Sequence, residues 1–300
     1  MTIAAVAVSI IANAQTLQDG IKMYHYNKFQ SAERILAPLA TDPQANYYLG
    51  LSYLQQGKIE QAITTFAKFP EDPANIAGTA RVAFEQKNPA KGMQIAKDLA
   101  AKSKKKEWIQ EKYAADALTY SNGADYQQAV AWYKDALTKT DNAELHIGLG
   151  DAFRKIPGGG GDAMNNYESV TEKDKSNSLA FSRIGDLWYD ARNFQSALDN
   201  YAKAKDADTS NPLPYHSLAD GFSRSRQFKK ALENIETYYD LSDKTIADKL
   251  KRLRIMYQAE SYCAAAINAG ELMNDPEMPK DSRLELTGIH GFSLARCGDS

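Results

Sequence analysis

Residues 184–204 have the sequence IGDLWYDARNFQSALDNYAKA, and the spacing of its small and large residues recurs along the chain. Ala197 belongs to a series of alanines that are each 34 residues after the last: Ala129, Ala163, Ala197, Ala231 and Ala265. A tyrosine follows four residues after each of the first three members, as Tyr133, Tyr167 and Tyr201. A fixed period of this length indicates a protein built from structural repeats.

Each repeat predicts two helices joined by a short turn. Gly185 lies twelve residues before Ala197, and the large Trp188 lies nine residues before it. Small residues allow two helices to approach closely, and large residues fill the space between neighbouring repeats. The turn falls at residues 190–193, and no stretch of useful length has the alternating pattern of a β-strand. We therefore expect an all-α fold.

The N-terminal third of the chain repeats with a shorter period. Ala32, Ala62 and Gly92 are 30 residues apart, and Gly20 and Gly50 lie twelve residues before the first two. The core of each helix pair is therefore kept, and the shortening falls at the junction between pairs. A lysine-rich stretch at residues 102–106 follows, which we interpret as a further junction and not as a linker between domains.

The 34-residue pattern resembles the tetratricopeptide repeat (TPR), most clearly at residues 149–153 and 184–204. The resemblance covers about residues 16–300, and it implies a right-handed α-solenoid of about eight helix pairs plus one further helix. We predict irregular TPR-like repeats 1–3 at residues 15–100 and TPR repeats 4–8 at residues 101–273. Residues 274–300 are predicted to hold helix A of an incomplete further repeat.

A secretory signal peptide is predicted at residues 1–14. The apolar run from Ile3 to Ala12 is too short to span a bilayer, and Ala12-Asn13-Ala14 has the A-x-A pattern of a cleavage site. No Lys or Arg precedes the run, so we expect the signal peptide to be truncated at its N-terminus. The alternative is an apolar first helix of the mature fold. Resemblance to exported TPR proteins implies the periplasm of a Gram-negative envelope.

The C-terminal segment predicts one helix without a following partner. Leu284 to Ala295 has a helical pattern, and Cys297-Gly298 has the composition of a turn. A solenoid usually ends in a capping element with a polar outer face. We expect the chain to be a fragment of a longer array, and the alternative is that the last helix serves as the cap.

Three aspartates are candidates for a partner-binding groove. The resemblance implies that the first helix of each pair lines this groove, and that the residue after the small position faces it. Stacked repeats would place such residues about 10 Å apart, as an acidic stripe for basic or N–H-rich groups of a partner. These residues are Asp151, Asp186 and Asp220. The alternative is local pairing of Asp151 with Arg154 or Lys155, of Asp186 with Arg183 and of Asp220 with Arg224.

The other groove candidates are aromatic or basic. Aromatic side chains at a groove anchor peptides or stack on sugars, although in a tyrosine-rich chain packing is the alternative role. These candidates are Tyr47, Tyr189, Tyr257, Arg224 and Arg254.

Composition and motifs exclude several other functions. The net charge of −2 gives no reason to expect nucleic-acid binding. Gly158–Gly161 lacks the pattern of a phosphate-binding loop, and residues 206–217 lack the glycine and glutamate of a calcium loop. The four histidines lack metal-ligand spacing. Cys263 and Cys297 are expected to be free thiols, with a disulfide as the alternative.

The sequence therefore predicts a protein without catalytic residues, cofactor, metal site or transmembrane span. We expect a non-enzymatic scaffold that binds a protein or peptide in its groove. One alternative is a module that binds glycans or cell-wall fragments through groove tyrosines. Another is the recognition arm of a longer enzyme or receptor whose other domain lies beyond Ser300.

Overall fold

The computed structural model describes residues 16–298, and all regular secondary structure in this range is helical. The predicted signal peptide lies outside the described residues. Residues 16–25 form helix α1. The next nine helices are α2 Phe29–Leu36, α3 Pro43–Gln55, α4 Ile59–Phe66, α5 Pro73–Glu85, α6 Pro89–Ala101, α7 Ile109–Thr119, α8 Tyr126–Lys139, α9 Ala143–Arg154 and α10 Gly160–Lys173. The remaining helices are α11 Ser178–Asp190, α12 Phe194–Ala207, α13 Pro212–Arg224, α14 Phe228–Leu241, α15 Ile246–Gln258, α16 Tyr262–Met273 and α17 Arg283–Cys297.

The chain divides into two compact units, which we describe separately. Unit 1 ends at Lys175, and unit 2 begins at Ser176. Each odd-numbered helix from α3 to α15 packs against the even-numbered helix that follows it, and α17 packs against α16. In unit 1, α3, α5, α7 and α9 also contact one another in succession. The predicted all-α solenoid of consecutive helix pairs is confirmed.

Local sequence signals determine where the helices begin and end. At several helix starts an aspartate or asparagine side chain accepts hydrogen bonds from backbone N–H groups, as Asp42 does from those of Gln44 and Ala45. The turn inside each pair contains one residue with positive φ, which ends the first helix in the left-handed region. In the described part of the chain these residues are Asn27, Gly57, Lys87, Gly123, Gly158, Arg192, Arg226 and Glu260.

The paired helices approach each other closely at the recurring small residues, as the repeat pattern predicted. A Cβ atom on Gly150 would lie 2.4 Å from Cε1 of Tyr167, and one on Gly185 would lie 2.5 Å from Cε1 of Tyr201. Both distances are below van der Waals contact, so each tyrosine ring occupies the space that a larger residue on the facing helix would need. The tyrosine that follows the repeated alanine is thus the core residue that sets the spacing of its pair.

Buried amides connect successive pairs in unit 1. Nδ2 of Asn46 donates to the backbone oxygen of Thr65 at 2.8 Å and to Oδ1 of Asn75 at 2.7 Å. Nδ2 of Asn75 donates in turn to the backbone oxygen of Pro43 at 3.0 Å. These hydrogen bonds satisfy polar groups between α3, α4 and α5, where an unpaired group would cost free energy.

The prediction of free thiols is wrong, because Cys263 and Cys297 form a disulfide. Cys263 lies at the start of α16 and Cys297 is the last residue of α17. The two helices pack side by side in opposite directions, which brings the Cα atoms of the cysteines to 4.8 Å. Disulfides bridge Cα atoms about 4.4–6.8 Å apart, and only the helix packing could reveal this proximity.

We expect Gly185→Ala to destabilise the protein by about 1–3 kcal/mol, because the new methyl group would overlap the Tyr201 ring. Gly288→Ala is the matched control in unit 2, since a Cβ atom on this glycine of α17 meets nothing within 4 Å. The control should raise stability by up to about 1 kcal/mol through helix propensity. Thermal unfolding followed by circular dichroism measures both, and equal shifts of the same sign would contradict the packing.

Candidate functional site

The tyrosines that set the helix spacing also hold two of the candidate aspartates. The Tyr167 hydroxyl donates to Oδ1 of Asp151 at 2.7 Å, and the Tyr120 hydroxyl donates to Oδ2 at 2.9 Å. The Tyr201 hydroxyl donates to Oδ1 of Asp186 at 3.0 Å. Only 7% of Asp151 is exposed, so the assignment of this residue as a charge at the groove surface is wrong. Its carboxylate instead lies among the packed helices of unit 1.

Asp186 and Asp220, both in unit 2, have cationic neighbours. Nη1 of Arg183 lies 3.6 Å from Oδ2 of Asp186, as the local-pairing alternative predicted. Asp220 forms an ion pair with Lys251, and Nδ1 of His216 lies 3.7 Å from its Oδ2. Burial lowers the pKa of His216 despite the Asp220 carboxylate, so this imidazole is neutral near pH 7.

Arg224 is not the partner of Asp220, because its Nε donates to the Tyr189 hydroxyl at 3.1 Å. The two candidates Tyr189 and Arg224 therefore lie together on α11 and α13. Arg224 lies one turn beyond Asp220 on the same helix, whereas Lys251 reaches Asp220 from the neighbouring α15. The predicted pairing of Asp220 with Arg224 on the same helix is thus replaced by a pairing with Lys251 of the next repeat.

The last two candidates lie near the C-terminal helix of unit 2. Arg254 binds Glu285 through two hydrogen bonds of 2.7 Å, which join α15 to α17. The ring centroid of Tyr257 lies 6.1 Å from that of Tyr262 and 5.6 Å from that of Phe292, in edge-to-face arrangements. Both candidates therefore contact neighbouring helices.

Tyr47 is a core residue, which corrects its assignment to an exposed groove position. Only 4% of its surface is exposed, and its ring packs against Phe66 of the following helix. Its ring centroid also lies 5.3 Å from that of Tyr48 and 5.5 Å from that of Tyr113. Tyr47 thus forms the base on which more exposed aromatic residues of α3 and α7 rest.

These residues belong to an aromatic and basic cluster that the sequence did not predict. Tyr24 of α1 contacts Tyr48 of α3, with ring centroids 5.3 Å apart. Lys112 lies over the Tyr113 ring at 4.3 Å, and Arg81 lies over the Tyr120 ring at 5.8 Å. Side chains from α1, α3, α5 and α7 thereby converge. We call this group the tyrosine–cation cluster: Tyr24, Tyr48, Arg81, Lys112, Tyr113 and Tyr120.

The two cations of the cluster are removed from water. Only 6% of Arg81 is exposed; burial opposes its charge, but the oxygens of Tyr24 and Tyr47 favour it, and the net effect raises its pKa. Burial is the largest single influence on Lys112 and opposes its charge, but Asp116, Tyr113, Glu144 and Tyr47 together outweigh it and raise the pKa well above its ordinary value. Nζ of Lys112 lies 3.1 Å from Asp116 and 3.4 Å from Glu144. Both groups therefore remain charged near neutral pH.

The tyrosines of the cluster remain neutral hydrogen-bonding groups. Burial raises the pKa of Tyr48 and Tyr113, so neither hydroxyl loses its proton near neutral pH. Tyr24, Tyr48 and Tyr113 are half-buried, and Tyr120 is 40% exposed. The cluster can offer ring faces and hydroxyl groups to a bound molecule, whereas Arg81 is buried and Lys112 is already paired with Asp116 and Glu144.

One signal in the sequence could have located part of this cluster. Arg81 follows the small Ala80 just as Asp151 follows Gly150, so the rule that selected the aspartates also selects Arg81. Tyr24, Lys112 and Tyr113 occupy different positions in their repeats, and their convergence depends on the packing of α1 to α7. No spacing rule could have found them.

Comparison with known proteins supports the repeat assignment. Residues 27–76 match the tetratricopeptide repeat family model, which confirms the predicted resemblance over this segment. No curated protein matches the chain.

Two solved structures are similar to the chain at low identity. The structure of Pseudomonas aeruginosa PilF is 17% identical, with a TM-score of 0.47, and covers 82% of this chain and 96% of its own. The crystal structure of MamA is 18% identical, with a TM-score of 0.41, and covers 58% of this chain and 90% of its own. At these values neither similarity supports a conclusion about function.

Residues 16–298 contain neither a membrane-spanning helix nor a cluster of metal ligands. Among these residues, no helix combines the length and the apolar character needed to cross a membrane. The same residues contain no group of three His, Cys, Asp or Glu side chains that could hold a metal ion.

We expect Lys112→Met to destabilise the protein by about 3–5 kcal/mol, because it leaves Asp116 buried without its cation. Combining it with Asp116→Asn removes the uncompensated charge and retains an acceptor for the Tyr133 hydroxyl. The double variant should therefore be more stable than the single one. Urea unfolding monitored by circular dichroism compares the two, and a double variant less stable than Lys112→Met would refute the pairing.

Proposed function

We propose that the protein is a non-enzymatic scaffold that binds a segment of another protein at the tyrosine–cation cluster of unit 1. The fold of consecutive TPR-like helix pairs is typical of protein-interaction scaffolds. The observation that carries the proposal is the convergence of partly exposed tyrosines and two desolvated cations from four helices. Tyrosine and arginine are the residue types that dominate binding energy at protein interfaces.

The cluster is arranged before any partner arrives. Tyr48 is fixed between Tyr24 and Tyr47, and Tyr113 is fixed between Tyr47 and Lys112. Side chains that are already ordered lose less conformational entropy on binding. A partner segment would therefore gain contact with large ring faces at a low ordering cost.

The properties of the tyrosines favour binding over proton transfer. Burial holds the pKa of Tyr48 and Tyr113 above the ordinary value, so near neutral pH they donate and accept hydrogen bonds without changing charge. Lys112 retains its proton because Asp116 stabilises the ammonium group. The groups at the surface of the cluster thus act as fixed recognition elements.

We further propose that the scaffold acts in the cell envelope. The apolar run and A-x-A pattern of residues 3–14 support export. The disulfide between Cys263 and Cys297 supports an oxidising compartment, because such bonds are rare where thiols are kept reduced. Both observations agree with a periplasmic location.

Affinity capture with the purified chain as bait tests the proposal. The bait should retain a defined protein from an envelope extract and retain none from a cytosolic extract. Tyr48→Ala combined with Tyr113→Ala should weaken retention at least about 10-fold, because each substitution removes an aromatic anchor.

Tyr126→Ala provides the matched control, since this half-buried tyrosine lies on the even-numbered helix α8 of the same unit. It should retain the same protein at wild-type strength. Circular dichroism establishes that each variant remains helical. Equal retention by the wild type and the folded double variant would overturn the assignment of the cluster as the binding surface.

A further inference from the structure

The connection between α6 and α7 carries a dense group of positive charges. Lys102, Lys104, Lys105 and Lys106 lie within five residues, and all four are exposed. The run is followed by Trp108 and by Ile109, the first residue of α7. We call residues 102–109 the lysine loop. Lys112 of the tyrosine–cation cluster follows the loop by three residues, but none of the four loop lysines belongs to that cluster.

The ion pairs of the lysine loop leave most of its charge uncompensated. Nζ of Lys102 lies 3.9 Å from Glu71, and Nζ of Lys104 lies 3.6 Å from Glu107. Ion pairs this exposed contribute little stability, so the lysines can readily exchange their carboxylate partners for another anion. Lys105 and Lys106 have no ion pair among the described residues. The loop therefore has a net positive charge although the chain as a whole has a charge of −2.

The loop borders an open cleft of about 840 Å³, which is lined in part by Lys104, Lys105 and Lys106. Lys139, which also lines the cleft, is already neutralised, because its Nζ lies 2.5 Å from Glu111 and 3.2 Å from Asp135. The available positive charge at the cleft therefore comes from the loop. A loop with all its cations on one side fits an extended anionic surface better than an enclosed ligand.

Apolar residues beside the lysines indicate what kind of surface this is. Ile109 is 44% exposed, and Trp108 is half-buried against the core of unit 1. Because Trp108 packs against the core, Ile109 is the apolar side chain that this segment exposes beside the lysines. Clustered lysines are attracted to anionic lipids, and neighbouring apolar residues add burial at the headgroup boundary. A surface that binds an acidic protein would need only the lysine charges and not the exposed apolar side chain.

We propose that the lysine loop binds the protein to an anionic phospholipid surface. The lysines supply electrostatic attraction to the headgroup phosphates, and Ile109 inserts at the boundary of the acyl region. The contact is peripheral and depends on salt, since exposed charges are screened beyond about 10 Å at 0.1 M ionic strength. This surface is distinct from the proposed site for a protein partner, so one can fail without the other.

Vesicle co-sedimentation with the full chain tests the proposal. The protein should bind vesicles of phosphatidylcholine with 30% phosphatidylglycerol and should not bind vesicles of phosphatidylcholine alone. Replacing Lys104, Lys105 and Lys106 by glutamine should weaken binding about 100-fold, because each lysine near an anionic surface contributes about 5-fold. Replacing the same three by arginine preserves the charge and should preserve binding.

A second triple variant controls for the change in net charge. Lys97→Gln, Lys155→Gln and Lys175→Gln remove three exposed lysines outside the loop and should leave vesicle binding unchanged. Equal loss in both glutamine variants, or equal binding to neutral and anionic vesicles, would overturn the proposal. Absence of vesicle binding together with loop-dependent capture of an acidic protein would overturn it in favour of a protein partner.

Discussion

The close approach of paired helices at a small residue is the constraint on which the rest of the structure depends. At Gly150 and Gly185 the facing tyrosine ring lies where a Cβ atom would otherwise be, so the two helices have one allowed spacing. The hydroxyl groups of the same tyrosines then reach Asp151 and Asp186 on the facing helices. In each of these pairs, one tyrosine thus both fills the space between the helices and donates a hydrogen bond to the aspartate on the facing helix. The tyrosines that set the helix spacing lie on the even-numbered helices. The residues of the tyrosine–cation cluster come from the odd-numbered helices of unit 1.

That convergence explains how unit 1 can keep charged groups largely removed from water. Arg81 has aromatic and hydroxyl neighbours, and Lys112 has the Asp116 carboxylate, which itself accepts a hydrogen bond from Tyr133 at 2.5 Å. Replacing Lys112 and Asp116 together by well-packed apolar residues should cost little, since buried ion pairs are often no more stable than apolar groups, whereas removing the cation alone leaves a buried charge uncompensated. The tyrosine rings held by these contacts form a preformed surface, which is consistent with the proposed role in recognition.

Features that recur in every repeat could be predicted from the sequence, and features that occur once could not. Ala197, Gly185 and Tyr201 predicted the helix pair because each recurs at fixed spacing. The pairing of Asp186 with Arg183 was also predictable, since residues three apart are neighbours on a helix. Asp151 was misassigned because its exposure depends on Tyr120 and Tyr167, which lie on other helices. The disulfide and the tyrosine–cation cluster depend on contacts between elements, which residue spacing does not encode.

Photo-crosslinking tests most directly whether the partner binds on the odd-numbered helices of unit 1. A photoreactive phenylalanine analogue would replace Tyr120, which is exposed beside Arg81, or Ala131, which is exposed on α8. Irradiation in envelope extract, followed by mass spectrometry, identifies what each position touches. We predict a single dominant protein adduct from position 120 and none from position 131. An adduct that forms from position 131 and not from position 120 would contradict the account.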